Sequence, residues 1–125
     1  MGLIRKRLSL IGPRREKEAD CLFDTGASRS FIRPELVRSL GLSKAELPRP
    51  LRIRLGKGSA RVSQVAAVMI RLNGATLADT AYVMPGLTED YVLGAEFLEV
   101  YGIRLDPKRR RLVLPPKRRL SLILV

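Results

Sequence analysis

One stretch of the chain, Leu22 to Ser28, constrains the fold more than any other. It reads Leu-Phe-Asp-Thr-Gly-Ala-Ser, so an apolar run delivers a single carboxylate, Asp24, into a turn. The Thr and Gly that follow allow the backbone to bend sharply, and an apolar stretch resumes at Phe31-Ile32. The pattern predicts a strand that ends in a loop carrying one acid.

The composition excludes most other catalytic chemistry. The chain has 125 residues, no histidine and one cysteine. Without histidine it cannot assemble a Ser-His-Asp triad or a Cys-His pair, and most zinc sites lose their ligands. A single cysteine also excludes disulfide frameworks and iron–sulfur clusters. We therefore expect no metal and no cofactor, which leaves carboxylates, hydroxyls and lysines for chemistry.

The length fits one domain, residues 1–125, with a single core. The lone Cys21 lies in an apolar strand pattern, where a buried apolar role is a better interpretation than a reactive thiol. No run approaches the roughly 18 apolar residues of a membrane helix. Basic residues at 5–7 stand where a signal peptide needs apolar ones. We therefore expect a cytoplasmic protein without a membrane partner.

Periodicity and turn signals predict an all-β fold with one or two short helices. Strands are predicted at 3–11, 18–23, 51–55, 65–72, 75–83, 91–94, 103–106 and 111–114, with another that begins near residue 60. Helices are predicted over 95–100 and from Pro34 to Gly41, since Pro is favoured at the first helical position and Gly at the end. Asn73-Gly74 is the strongest hairpin signal. Residues 42–50, with two prolines, are expected to be an extended connector.

The sequence around Asp24 resembles the retropepsin-like aspartic proteases. Their signature is two apolar residues followed by Asp-Thr/Ser-Gly-Ala, and their retroelement members continue much as residues 28–32 do. They also carry an aliphatic–aliphatic–Gly element, to which residues 92–94 are similar, so Leu93 and Gly94 are expected to support the site. The resemblance covers about residues 3–115 and implies a closed acid-protease barrel with a single lobe.

The resemblance also implies roles for the residues after Asp24. Thr25 would lock two catalytic loops together through hydrogen bonds. Gly26 and Ala27 would contact the substrate backbone. Ser28 would hydrogen-bond Asp24 or the substrate.

A second glycine-rich segment, Gly56-Lys57-Gly58-Ser59, separates two predicted strands. In the retropepsin-like interpretation it is a flap over the substrate, hinged by Gly56 and Gly58. A plain hairpin turn is the alternative, and glycine content by itself favours it.

Peptide hydrolysis without metal, histidine or cysteine has one well-known solution, in which two carboxylates share a proton and activate a water. The sequence offers one suitable loop, so the second carboxylate must be Asp24 of another copy, related by a twofold axis. We therefore predict an aspartic endopeptidase that acts on peptides or proteins as an obligate homodimer. Asp79, the nearest second candidate, lacks the Gly and is expected to be an exposed aspartate in a hairpin arm.

The alternative is a catalytically inactive dimeric module that binds peptides or nucleic acid. The net charge of +12 favours acidic partners, and basic clusters lie at 5–7, 108–111 and 117–119. They lack interleaved aromatic residues for base stacking, so solvated strand faces and turns are the more ordinary explanation.

The last residues, 120–125, are almost wholly apolar, Leu-Ser-Leu-Ile-Leu-Val. Such a segment is costly to expose, so we expect it to pair as a strand. It has two possible partners, the termini of a second subunit, as in retroviral relatives, or its own barrel.

Overall fold

A computed structural model describes residues 2–54 and 58–116. Strands dominate the described chain, and two short helices follow the third and seventh of them. In chain order the elements are β1 (Leu3–Ile11), β2 (Glu16–Asp24), β3 (Ser30–Ile32), α1 (Pro34–Leu40), β4 (Lys44–Arg54), β5 (Ser59–Leu72), β6 (Ala75–Val83), β7 (Tyr91–Leu93), α2 (Ala95–Tyr101), β8 (Arg104–Asp106) and β9 (Arg111–Val113). The mainly β fold predicted from the sequence is confirmed.

Six of these strands close into a barrel. They pair in the order β1, β2, β7, β3, β6, β5, and the ring closes because β5 also pairs with β1. The fourth strand, β4, pairs with the first half of β5 and stands outside the ring, while β8 and β9 form a hairpin of their own. The single-lobe closed barrel that we expected is therefore present in the described residues.

The first hairpin brings Asp24 to the end of a paired strand. β1 and β2 pair antiparallel along their whole length, so Leu3 lies opposite Asp24 and Ile11 opposite Glu16. On its other side β2 pairs in parallel with β7, with Phe23 opposite Leu93. Asp24 is therefore the last residue of the central strand of three, and this pairing on both sides gives it a rigid support.

The turn at Asn73-Gly74 has the geometry that its sequence predicts. Both residues have positive φ, 50° and 78°, which a two-residue hairpin turn requires and which Asn and Gly tolerate best. It joins β5 to β6 with Leu72 opposite Ala75. This hairpin is confirmed.

The connector expected at 42–50 is mostly strand. β4 runs unbroken from Lys44 to Arg54 despite Pro48 and Pro50. The two prolines are tolerated because β4 is an edge strand. The hydrogen-bond ladder with β5 also shifts its register between Glu46 and Leu51, so the prolines are left out of it.

Both helices end in the same way. α1 begins at Pro34, and each helix is followed by a left-handed glycine, Gly41 with φ 69° and Gly102 with φ 66°. The N–H of each glycine donates to carbonyls of the preceding turn. The helix end predicted at Gly41 is thus observed, and the helix predicted over 95–100 ends in the same way.

The core is aliphatic with few aromatic residues, and alternate residues of β2 contribute to it. Ala19, Cys21 and Phe23 are buried, whereas their neighbours are exposed or half-buried. No helix in residues 2–54 and 58–116 has the length and apolar content to cross a membrane. The apolar segment 120–125 and the basic residues 117–119 lie outside the described residues.

Cys21 is expected to be chemically inert in the native protein. Burial raises the pKa of its thiol from 9.0 to about 12, so almost no thiolate forms near neutral pH. With an aromatic disulfide reagent at pH 8, the native chain should react at least ~10²-fold more slowly than the urea-unfolded chain. Rapid reaction of the native chain would show that the thiol is accessible.

Candidate active site

Asp24 is the last residue of β2 and is half-buried. Its Oδ1 accepts a hydrogen bond from the N–H of Gly26 at 2.8 Å, and its carbonyl accepts one from Ala27 at 3.2 Å. The two bonds fold residues 24–27 into a tight turn. The carboxylate is therefore oriented by the backbone of its own loop while one face remains open to solvent.

Hydrogen bonds join Thr25 of the loop to Gly2, the residue before β1. The N–H of Gly2 donates to Thr25 Oγ1 at 3.0 Å, and the N–H of Thr25 donates to the carbonyl of Gly2 at 3.3 Å. Within one subunit the hydroxyl is thus used against Gly2. Its predicted role between two loops stays a prediction.

The second half of the loop is attached to the start of α2. The N–H of Ala95 donates to the carbonyl of Ala27 at 2.7 Å, and that of Glu96 donates to the carbonyl of Ser28 at 3.1 Å. The first amides of a helix have no partner inside the helix, so here the loop carbonyls satisfy them. An ion pair at 2.8 Å between Arg29 and Glu96 lies beside these bonds.

Gly94 permits this attachment. A Cβ at this position would lie 2.4 Å from the carbonyl oxygen of Arg29 and 2.5 Å from its carbonyl carbon. Its N–H also donates to the hydroxyl of the buried Ser30 at 3.3 Å. The preceding Leu93 is fully buried next to β2. The loop and the Leu93-Gly94 element, about 70 residues apart in sequence, are in direct contact.

Asp79 is not the exposed aspartate that we expected. Its Oδ2 accepts a hydrogen bond from the hydroxyl of Tyr91 at 2.6 Å, and its Oδ1 accepts the N–H of Thr80 at 2.9 Å. Burial raises the pKa of Asp79, although bonds from Ser30 and Tyr91 oppose the rise. The prediction was wrong because β6 pairs in parallel with β3 and lies near β7, a contact that local pattern does not encode.

Sequence reasoning also missed Ser30 and Tyr91. Ser30 is 3% exposed, and Tyr91 is fully buried with its pKa raised well above the usual value by burial and by Asp79. A serine and a tyrosine in short apolar runs carry no sequence signal that would have found them.

The expected flap is described only in part. β4 and β5 pair as far as Arg54 opposite Ser59, so the chain does reverse here. Gly58 is exposed with φ 87°, a value that glycine adopts without strain. Gly56 and Lys57 lie outside the described residues, so the contact of this tip with substrate stays a prediction.

A pocket of about 710 Å³ lies behind the loop, with Arg29 and Ser30 in its lining but not Asp24. Across residues 2–54 and 58–116, no three acidic or cysteine side chains are grouped as metal ligands would be. What the loop presents chemically is one oriented carboxylate, flanked by the exposed Thr25 and Gly26.

Comparison with known proteins gives one family and several solved structures. A model of the aspartyl protease family matches residues 12–97. The retroviral protease-like domain of Ddi1 from Leishmania major is similar, with a TM-score of 0.65 and 14% identity over 93% of this chain and 90% of that one. EIAV protease complexed with the inhibitor HBY-793 has a TM-score of 0.61 and 19% identity over 82% of this chain and 92% of that one. A search of curated proteins finds no match. The structural likeness confirms the retropepsin-like fold.

Gly94→Ala should be strongly destabilising, by about 3 kcal/mol or more, because its Cβ would overlap backbone atoms of Arg29. Gly102→Ala is the matched control. There the nearest atom is 4.0 Å away, so only the positive φ is unfavourable, at a cost of about 1 kcal/mol. Urea unfolding measures both, and equal losses would contradict the assigned overlap.

Proposed function

Because the chain belongs to the aspartyl protease family, we propose that it is an aspartic endopeptidase with Asp24 as its catalytic residue. The observation that carries this proposal is the placement of Asp24. The residue ends a barrel strand, its carboxylate is held by the N–H of Gly26, and it keeps access to solvent. These are the properties that a carboxylate needs to activate water.

Hydrolysis by this route needs a second carboxylate, and we propose that Asp24 of a second copy supplies it. One ionised Asp24 accepts a proton from the attacking water while its protonated mate donates to the scissile carbonyl. The exposure of Thr25 and Gly26 in one subunit supports this, because the loop then has a surface left for its partner. Thr25 would join the two loops at that surface.

The proposed substrate is a peptide or protein segment bound in extended form across the two loops. Gly26 and Ala27 would contact its backbone, and Ser28 would bond it or Asp24. Gly56, Lys57 and Gly58 would cover it as a flap. In this proposal residues 1–125 act as one domain, the protein is cytoplasmic, and no metal or cofactor takes part.

Binding of nucleic acid by an inactive dimer is the weaker candidate. Exposed basic residues occur at the turn between β8 and β9, but Arg109 and Arg111 both pair with Asp106. Arg5 and Arg7 of β1 likewise pair with carboxylates. Paired charge contributes less to phosphate binding, but Asp106 by itself offsets only one of the four positive charges at 108–111.

Asp24→Asn should lower the rate of peptide cleavage at least ~10²-fold, because the amide cannot accept the proton of water. An unfolded protein serves as substrate, with and without pepstatin. The control is Asp20→Asn, which alters an exposed aspartate paired with Arg7 and should leave activity intact. Undiminished cleavage by Asp24→Asn would contradict the proposal, and a thermal midpoint equal to that of the wild type would show that a loss of activity is not a loss of folding.

Subunit mixing tests the shared site. If each site needs Asp24 from two chains, an equal amount of Asp24→Asn protein, after exchange, should reduce wild-type activity to about half, since mixed dimers are inactive. A site complete in one chain would show no loss. Sedimentation should report a dimer, and an active monomer would contradict the model of a shared site.

A further inference from the structure

The pocket of about 710 Å³ behind the loop is largely apolar. It lies between β5, β6, α2 and the end of β1. Its apolar walls are Ile11, Leu42, Val68, Met69, Phe97 and Val100. Met69 and Val100 are 38% and 56% exposed, and they are two of the four large hydrophobic side chains exposed in the described residues. Exposed apolar surface thus coincides with this pocket.

The charges in the pocket are not balanced. Arg29 and Glu96 pair with one another at 2.8 Å. Asp79 receives its hydrogen bonds from neutral donors, the hydroxyls of Tyr91 and Ser30 and the N–H of Thr80, and takes part in no ion pair within residues 2–54 and 58–116. The pocket is therefore locally acidic in a chain whose net charge is +12.

An ionised carboxylate in apolar surroundings loses hydration that neutral donors replace only in part. A cation next to Asp79 would compensate for that loss, whereas an anion would be repelled. The apolar walls beyond it would bury a hydrocarbon body of moderate size.

We propose that this pocket binds a small amphipathic amine, with its protonated amino group beside Asp79 and its apolar body against Met69, Phe97 and Val100. The site is separate from Asp24, which does not line the pocket. The pocket nevertheless borders the end of the loop, because Arg29 and Ser30 are in its wall. The hydroxyl of Ser30 also accepts a hydrogen bond from the N–H of Gly94. A bound amine would therefore stabilise the loop without occupying the substrate site.

Three probes of equal length separate charge from apolar contact: hexylamine, 1-hexanol and hexanoate. Each is titrated into the full chain at pH 7, and backbone amide shifts are followed by NMR. We expect shifts at 67–69, 78–80 and 96–101, hexylamine to bind about tenfold more tightly than hexanol, and hexanoate to bind most weakly. Equal affinity of hexylamine and hexanol, tighter binding of hexanoate, or shifts confined to other residues would overturn the proposal.

Variants locate the charge. Asp79→Asn should remove the preference for hexylamine and leave hexanol binding unchanged. Glu99 lies on the same helix as Glu96 but does not line the pocket, so the control variant Glu99→Gln should keep the preference for hexylamine. Asp24→Asn should also keep it, so the result does not depend on the proposed protease activity. A preference that survives in Asp79→Asn would contradict the assignment.

The wild-type chain provides a second measurement if Asp79→Asn fails to fold. As pH falls and Asp79 becomes protonated, the tenfold preference should disappear, and hexanol affinity should stay constant. Because burial raises the pKa of Asp79, the loss should begin at a higher pH than an exposed aspartate would give. The groups that act on Asp79 are Ser30 of β3, Tyr91 of β7 and Glu96 of α2, and Arg29, which also lines the pocket, pairs with Glu96. The Glu96→Gln variant should still lose its preference for hexylamine as pH falls. If this pH response is absent in Glu96→Gln, the response belongs to Glu96 and not to Asp79.

Discussion

The contact on which the rest of the structure depends is the passage of the loop backbone across Gly94. At this point the carbonyl of Arg29 occupies the space of a Cβ, and the first amides of α2 donate to the carbonyls of Ala27 and Ser28. Neither segment satisfies its backbone alone, since a helix start has free N–H groups and a tight loop has free carbonyls. Each therefore completes the other, and the position of Asp24 follows from that exchange.

Closure of the barrel explains why this contact can be rigid. β2 lies between β1 and β7, so the strand that carries Asp24 is paired on both sides up to its last residues. β5 is long enough to pair with β4, β6 and β1 along its length, which removes the free edges of the ring. The loop then leaves a rigid strand and returns along β3, so only a few residues remain to be fixed by hydrogen bonds.

Three buried or half-buried polar groups next to the loop are also joined by hydrogen bonds. Ser30, Tyr91 and Asp79 come from three different strands, and no buried side-chain polar atom in the described residues lacks a hydrogen-bond partner. A polar network in a core is favourable only when complete, because an unmade bond there costs more than a made one contributes. The carboxylate of Asp79 nonetheless has no ion-pair partner among the described residues, whereas Arg29 and Glu96 pair with each other. Asp79 also borders a pocket with apolar walls.

The sequence by itself determined the local structure and the position of Asp24 in a turn at the end of a strand. The strands around Asp24, the Asn73-Gly74 turn and the helix ends at glycine follow from periodicity and backbone freedom, which are properties of a few adjacent residues. It did not reveal that β4 continues past two prolines, or that Asp79 is bonded to Tyr91. Those depend on which strand lies at the edge and which strands become neighbours. Such facts arise only when distant segments pair, and so the tertiary structure decided them.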